Sequence, residues 1–121
     1  MATHYVLDAC ALLEADNGNA QISMNQLNFF EVYYGIRRDD GTRAAEEVYN
    51  MVMRLPITII KGMTTDVFHE AARIKTSHRM SLADAIALGE ASVRGATIIT
   101  SDHHEFDTVE VQEKIAFAWI R

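Results

Sequence analysis

Residues 81–102 read Ser81-Leu82-Ala83-Asp84-Ala85-Ile86-Ala87-Leu88-Gly89-Glu90-Ala91-Ser92-Val93-Arg94-Gly95-Ala96-Thr97-Ile98-Ile99-Thr100-Ser101-Asp102. Ser81 followed three residues later by Asp84 is a capping box, in which the serine accepts from a backbone N–H and the acid reaches back. A helix therefore opens at Ser81 and runs to about Arg94. Leu82, Ala83, Ala85, Ile86 and Leu88 make it apolar nearly all round, which predicts packing on several sides. Gly95 ends it. Thr97–Thr100 is a short β-branched strand, and a polar loop over 101–107 follows it. A buried helix feeding a buried strand is the signature of an α/β domain.

The same alternation extends outward in both directions. His4–Leu7 reads as a short buried strand ending in Asp8, and residues 9–15 as the start of a helix. Asp16-Asn17-Gly18-Asn19 is a turn, and residues 21–24 are a second strand. Asn25 or Asn28 caps a helix to about Arg37, and Asp39-Asp40-Gly41 is a turn. Thr42 caps a helix that buries Ala45, Val48, Met51, Val52 and Leu55, and Pro56 stops it. Ile57–Ile60 is a strand broken by Lys61-Gly62. Thr64 or Thr65 caps a helix with Val67, Phe68, Ala71, Ala72 and Ile74 inward. Ile115, Phe117 and Trp119 mark a final strand. The expected fold is one α/β domain over residues 1–121, with a mostly parallel central sheet flanked by helices. Parallel neighbours need a crossover of about a dozen residues or more. The stretch between the first two strands stands at that limit, so the first crossover is abbreviated.

Composition narrows the class. The chain has 121 residues, 49% of them apolar and 23% charged, which is ordinary for a globular domain. No apolar stretch approaches spanning length. The first residues lack the pattern of a secretory signal, and Cys10 is the single cysteine. We therefore expect a reducing, cytoplasmic setting and no membrane association. The net charge of −6 argues against a general nucleic-acid coat protein but leaves an enzyme with acid gathered in a metal site.

Four acids stand inside or at the edge of apolar runs: Asp8, Glu31, Asp84 and Asp102. A lone carboxylate in such surroundings is costly, whereas a shared divalent cation lets several stay ionised. Metal held by carboxylates points to phosphodiester hydrolysis. Asp8 and Asp102 follow short strands, and ligands of open parallel sheets bind beyond the carboxyl ends of the strands. The plainer alternative is capping, since an aspartate often caps a helix or turn. Asp84 has its capping box, and Glu31 lies one turn past Asn28. Among secondary candidates, His103 and His104 suit metal or substrate but more often are solvated. Cys10 reads as a small buried thiol and Asp107 as a peripheral acid or turn former. Ser23, Asn28 and Thr100 are candidates to orient the acids by hydrogen bonds, and each equally suits a cap. Arg37, Arg38, Arg43, Lys75, His78 and Arg79 form either a phosphate-contacting rim or ordinary solvated helix ends.

These residues resemble a known family, the PIN-domain ribonucleases, and within it the VapC-type toxins of toxin–antitoxin pairs. Tyr5-Val6-Leu7-Asp8-Ala9-Cys10-Ala11-Leu12-Leu13 is similar to the opening motif and Phe30-Glu31-Val32-Tyr33-Tyr34-Gly35 to the glutamate helix. Residues 81–88 resemble the third motif, and Thr100-Ser101-Asp102-His103-His104-Glu105-Phe106 the fourth. The resemblance spans nearly the whole chain and implies a three-layer PIN-like fold. It also implies a Mg²⁺- or Mn²⁺-dependent endoribonuclease whose ions are held by Asp8, Glu31, Asp84 and Asp102. Further implied are 5′-phosphate and 3′-hydroxyl products, structured RNA such as tRNA as substrate, a cognate antitoxin and a homodimer, swapped or not. Two features depart from the family pattern. Cys10 stands where a hydroxyl residue is usual, and the one or two helices usual between the first two motifs are reduced to residues 9–24. Two rival functions follow. One is a non-enzymatic binding module of the same fold, marked by exposed apolar surface near the shortened segment. The other is an aspartate-based phosphatase or phosphoacceptor domain using Asp8 and Lys61.

Overall fold

The computed structural model describes residues 4–7, 21–100, 109–110, 113 and 115–119. Five strands and four helices occur among them in the order β1 (His4–Leu7), β2 (Gln21–Asn25), α1 (Gln26–Asp40), α2 (Thr42–Arg54), β3 (Ile57–Ile60), α3 (Thr65–Ser77), α4 (Leu82–Arg94), β4 (Thr97–Thr100) and β5 (Phe117–Trp119). The strands form one sheet in the order β3-β2-β1-β4-β5, and every neighbouring pair is parallel. β1 is central, with Tyr5 opposite Ile22 on one side and Thr97 on the other.

Strand alternation divides the core between two faces. Ile98 joins Val6, Ile74, Met80, Leu88 and Ala91 beneath α3 and α4. Its neighbour Ile99 packs with Ile22, Met24, Phe29 and Val52 beneath α1 and α2. The result is the three-layer α/β arrangement expected from the sequence. It includes an abbreviated first crossover, since β1 and β2 are adjacent, parallel and joined by residues 8–20. The helix start over 9–15, the turn at 16–19 and the loop over 101–107 lie outside the described residues.

The caps explain most boundaries. Thr64 accepts from the Val67 N–H and Ser81 from the Asp84 N–H, and Gly95 closes α4 in the left-handed conformation. Asn25 rather than Asn28 caps α1, accepting from the Leu27 N–H. The Asp39-Asp40-Gly41 turn is shorter than expected, because α1 continues to Asp40 and Gly41 alone makes the joint at φ +96°. Gly41, not Thr42, then stands at the cap of α2, with no side-chain capping bond.

Several inward positions differ from the periodicity reading. On α3, Val67, Ala71 and Ile74 are buried, but Phe68 and Ala72 are exposed. The helix touches its neighbours through one stripe at i, i+4 and i+7, which Phe68 and Ala72 miss by one residue. Met51 of α2 is likewise exposed beside buried Val52. Helix α4 is buried as expected from Ala83 to Ala91, while Leu82 projects outward. It lies so close to α3 that a Cβ on Gly89 would stand 2.9 Å from the Ala71 Cβ and 3.0 Å from its backbone nitrogen.

Candidate active site

The site is built where α1 meets the first turn of α4. Asn25 ends β2 and caps α1 with no loop between them, so α1 leaves directly from the carboxyl end of the sheet. Asn28, fully buried, donates through Nδ2 to the Ala83 carbonyl at 3.0 Å. That bond joins the residue one turn before Glu31 to the residue just before Asp84. Glu31 is exposed and Asp84 half-buried. Asp84 lies in the first turn of its helix, where the backbone dipoles favour an anion.

Asp8 and Asp102 lie outside the described residues, as do Cys10, His103, His104 and Asp107. The strands leading to the two aspartates are adjacent and parallel, with Leu7 level with Ile99. Ser23 and Thr100 are buried near the carboxyl ends of β2 and β4. Among the described residues, no group of three or more His, Cys, Asp or Glu is gathered that could hold a metal. Glu31 and Asp84 offer hard oxygen donors of the kind that suit Mg²⁺ or Mn²⁺. Among the described residues the buried Oδ1 of Asn28 has no hydrogen-bond partner, so this corner also keeps an acceptor able to hold a donor such as water. The donor chemistry present fits a hard divalent cation.

Sequence reading missed a polar node behind these residues. Glu90, 0% exposed within otherwise apolar α4, accepts from Asn25 Nδ2 at 2.8 Å and from Arg94 Nε at 3.0 Å. Asn25 Nδ2 also donates to the Gly62 carbonyl at 3.1 Å. Asn25 thus fixes the start of α1 to α4 and to the segment after β3. A glutamate in an apolar helix was the available signal, and Arg94 stands one turn away, but its other partner is 65 residues off in sequence.

The expected basic rim divides into separate local arrangements. Arg38 pairs with Asp39, Arg43 with Glu47, and Lys75 donates to the Met80 carbonyl. His78 is nearly buried against Glu113. Arg73 bridges Glu70 and Glu113. Hydrogen bonds first from Arg73 and then from Ser92 lower the Glu70 pKa to about 2. Arg73 is also the chief cause lowering Glu113. Lys61 follows the edge strand β3, two strands from β1 rather than next to it. It lines an open apolar groove of about 720 Å³ instead, with Phe29, Phe30, Tyr49, Met53 and Met63. Tyr33 and Glu46 line the groove as well, and a hydrogen bond to Glu46 raises the Tyr33 hydroxyl above its ordinary range.

Comparison with known proteins agrees with this architecture. The family model described as PIN domain matches residues 5–112. A VapBC complex from Rickettsia felis, bound to a DNA fragment from its promoter, superposes with a TM-score of 0.79 at 13% identity. It covers 98% of this chain and 100% of its own. DNA-bound VapBC from Salmonella typhimurium gives 0.73 at 16% identity over 98% of each chain. A Mycobacterium tuberculosis VapC toxin that cleaves the sarcin–ricin loop gives 0.62 at 15% identity, covering 78% of this chain and 86% of its own. No curated protein matches the sequence.

Proposed function

Because this chain belongs to the PIN-domain family, we propose that it is a metal-dependent endoribonuclease acting as the toxin of a toxin–antitoxin pair. The observation that carries the reading is the Asn28–Ala83 bond, which sets the helix bearing Glu31 against the helix bearing Asp84. Asp8, Glu31, Asp84 and Asp102 would hold Mg²⁺ or Mn²⁺, directly or through water. When bound, the cation supplies an acidified water and stabilises charge on the scissile phosphate. Asn28 orients the two helices, and an acidic residue such as the exposed Glu31 would accept a proton from the attacking water. Following the family resemblance, water attacks phosphorus and the 3′-oxygen leaves, which gives 5′-phosphate and 3′-hydroxyl ends. Structured RNA such as tRNA is the substrate class.

A cognate antitoxin and a homodimer belong to the same reading, as does a cytoplasmic location. No described helix is long and apolar enough to cross a membrane. The groove between α1 and α2 favours a second reading, a partner-binding module, because its apolar lining is exposed. The two readings separate in one assay. Pooled tRNA is incubated with the protein in Mn²⁺, in Mg²⁺ and with chelator, beside Asp84→Asn. The ribonuclease reading expects metal-dependent cleavage that falls at least about 100-fold in the variant with its melting temperature preserved. Undiminished cleavage by a stably folded Asp84→Asn would sink the site assignment. An inert wild type that still binds metal would favour the binding module.

A further inference from the structure

Two helical glycines stand in opposite circumstances. Gly89 is required by packing, since a Cβ there would press into Ala71. Gly35, mid-way along α1, has nothing within 4 Å of the place a Cβ would occupy. Its backbone does not have the positive φ that favours glycine. A glycine in a helix interior is unfavourable relative to alanine, and no described neighbour of Gly35 explains it. Among the described residues nothing occupies the space beside it.

The surroundings of Gly35 indicate the occupant. Glu31, Tyr34, Gly35 and Arg38 stand at i, i+3, i+4 and i+7, so they share one face of α1. The stripe extends roughly 10 Å along the helix axis. Phe30 and Tyr34 are 58% and 51% exposed, and their rings lie nearly parallel, 6.2 Å apart with 12° between planes. The Arg38 guanidinium sits 5.5 Å from the centre of the Tyr34 ring. Its ion pair with Asp39 is solvent-exposed, so a phosphate can recruit it. Flat exposed rings, a guanidinium beside them and a bare backbone notch suit a nucleic-acid strand, whose bases stack on aromatics while arginine meets the phosphate. A wholly apolar peptide would find no use for the arginine.

We propose that Phe30, Tyr34, Gly35 and Arg38 form the track on α1 along which an unpaired, single-stranded segment of the RNA lies as it approaches Glu31. Gly35 lets the strand come close to the helix, and the two rings stack bases beside the scissile phosphate. This rests on the ribonuclease reading above, and it assigns binding residues to that site.

The test uses the full chain and a 2-aminopurine-labelled single-stranded oligoribonucleotide. Binding is measured in the Asp84→Asn background to prevent turnover, and cleavage in the otherwise native chain. Phe30→Ala with Tyr34→Ala is expected to weaken binding roughly 5- to 100-fold and to abolish stacking-induced fluorescence quenching. KM should rise while kcat stays within a few-fold. Gly35→Ala should raise the melting temperature by a few degrees, roughly 2–5 °C, yet weaken RNA binding. A merely structural glycine could not produce that opposition. RNA affinity and quenching equal to the parent in all three substitutions would overturn the track. Loss of antitoxin binding with intact RNA affinity would also overturn it, giving the stripe to a protein partner. A wild type that neither binds nor cleaves RNA in Mn²⁺ would instead overturn the ribonuclease reading, a result distinct from equal behaviour of parent and variants.

Discussion

Asn25 uses its whole amide in one place: Oδ1 caps α1, and Nδ2 serves both Glu90 and Gly62. A fully buried carboxyl deprived of its donor is costly. Asn25→Ala should therefore destabilise the fold by about 2–4 kcal/mol, visible as a lower urea midpoint. A midpoint within error of wild type would show the node to be unimportant. At this scale sequence reading succeeded where chemistry is local. Ser81, Thr64 and Gly95 announce their roles within four residues of themselves. Asn28 was read as a residue to orient the acids or cap α1, and the Ala83 carbonyl it bonds to was not legible, because it lies 55 residues on. Glu90 illustrates the same limit: pattern shows that a polar side chain is misplaced, not what receives it.

Helix periodicity predicts which way an element faces only if one knows how wide its contact is. α4 is covered on several sides and its reading held from Ala83 to Ala91. α3 makes a narrow contact, so Phe68, one position off the stripe, stays outside. The closeness of α3 and α4 depends on Gly89. Gly89→Ala should force the helices apart and cost about 1–3 kcal/mol, measured by thermal or urea unfolding. Unchanged stability would mean that α3 shifts easily. This cost is opposite in sign to that of the same substitution at Gly35, although both glycines lie in helix interiors.

The molecule as a whole should respond to metal and to acid in separable ways. Metal binding to the folded state alone raises stability, by about 2.7 kcal/mol at 100 times Kd. Mn²⁺ should therefore raise the melting temperature of wild type and have little effect on Asp84→Asn. Equal shifts would place the ion elsewhere. Acid acts through Glu70, whose folded pKa near 2 is well below its ordinary 4.5. Its contribution is full above that ordinary value and is lost as pH falls through the folded one. Arg73 is half exposed, so solvent screening reduces the contribution to about 1 kcal/mol. Arg73→Met should cost that much near pH 6, and the gap should close between about pH 5 and pH 2 in urea melts. The α/β layering was legible because each strand and helix carries its own punctuation. The proposed site was read as four acids in order, of which only Glu31 and Asp84 fall among the described residues. The sheet order also has a consequence for synthesis. β1 is made first yet sits in the middle, and Tyr5 meets its partner Thr97 only when most of the chain exists. Such long-range pairing makes for slow folding. A nascent chain stopped short of residue 97 holds β1 as an open edge without β4 beside it, prone to pairing with another chain. Under the proposed function, no working nuclease can form before β4 has been synthesised.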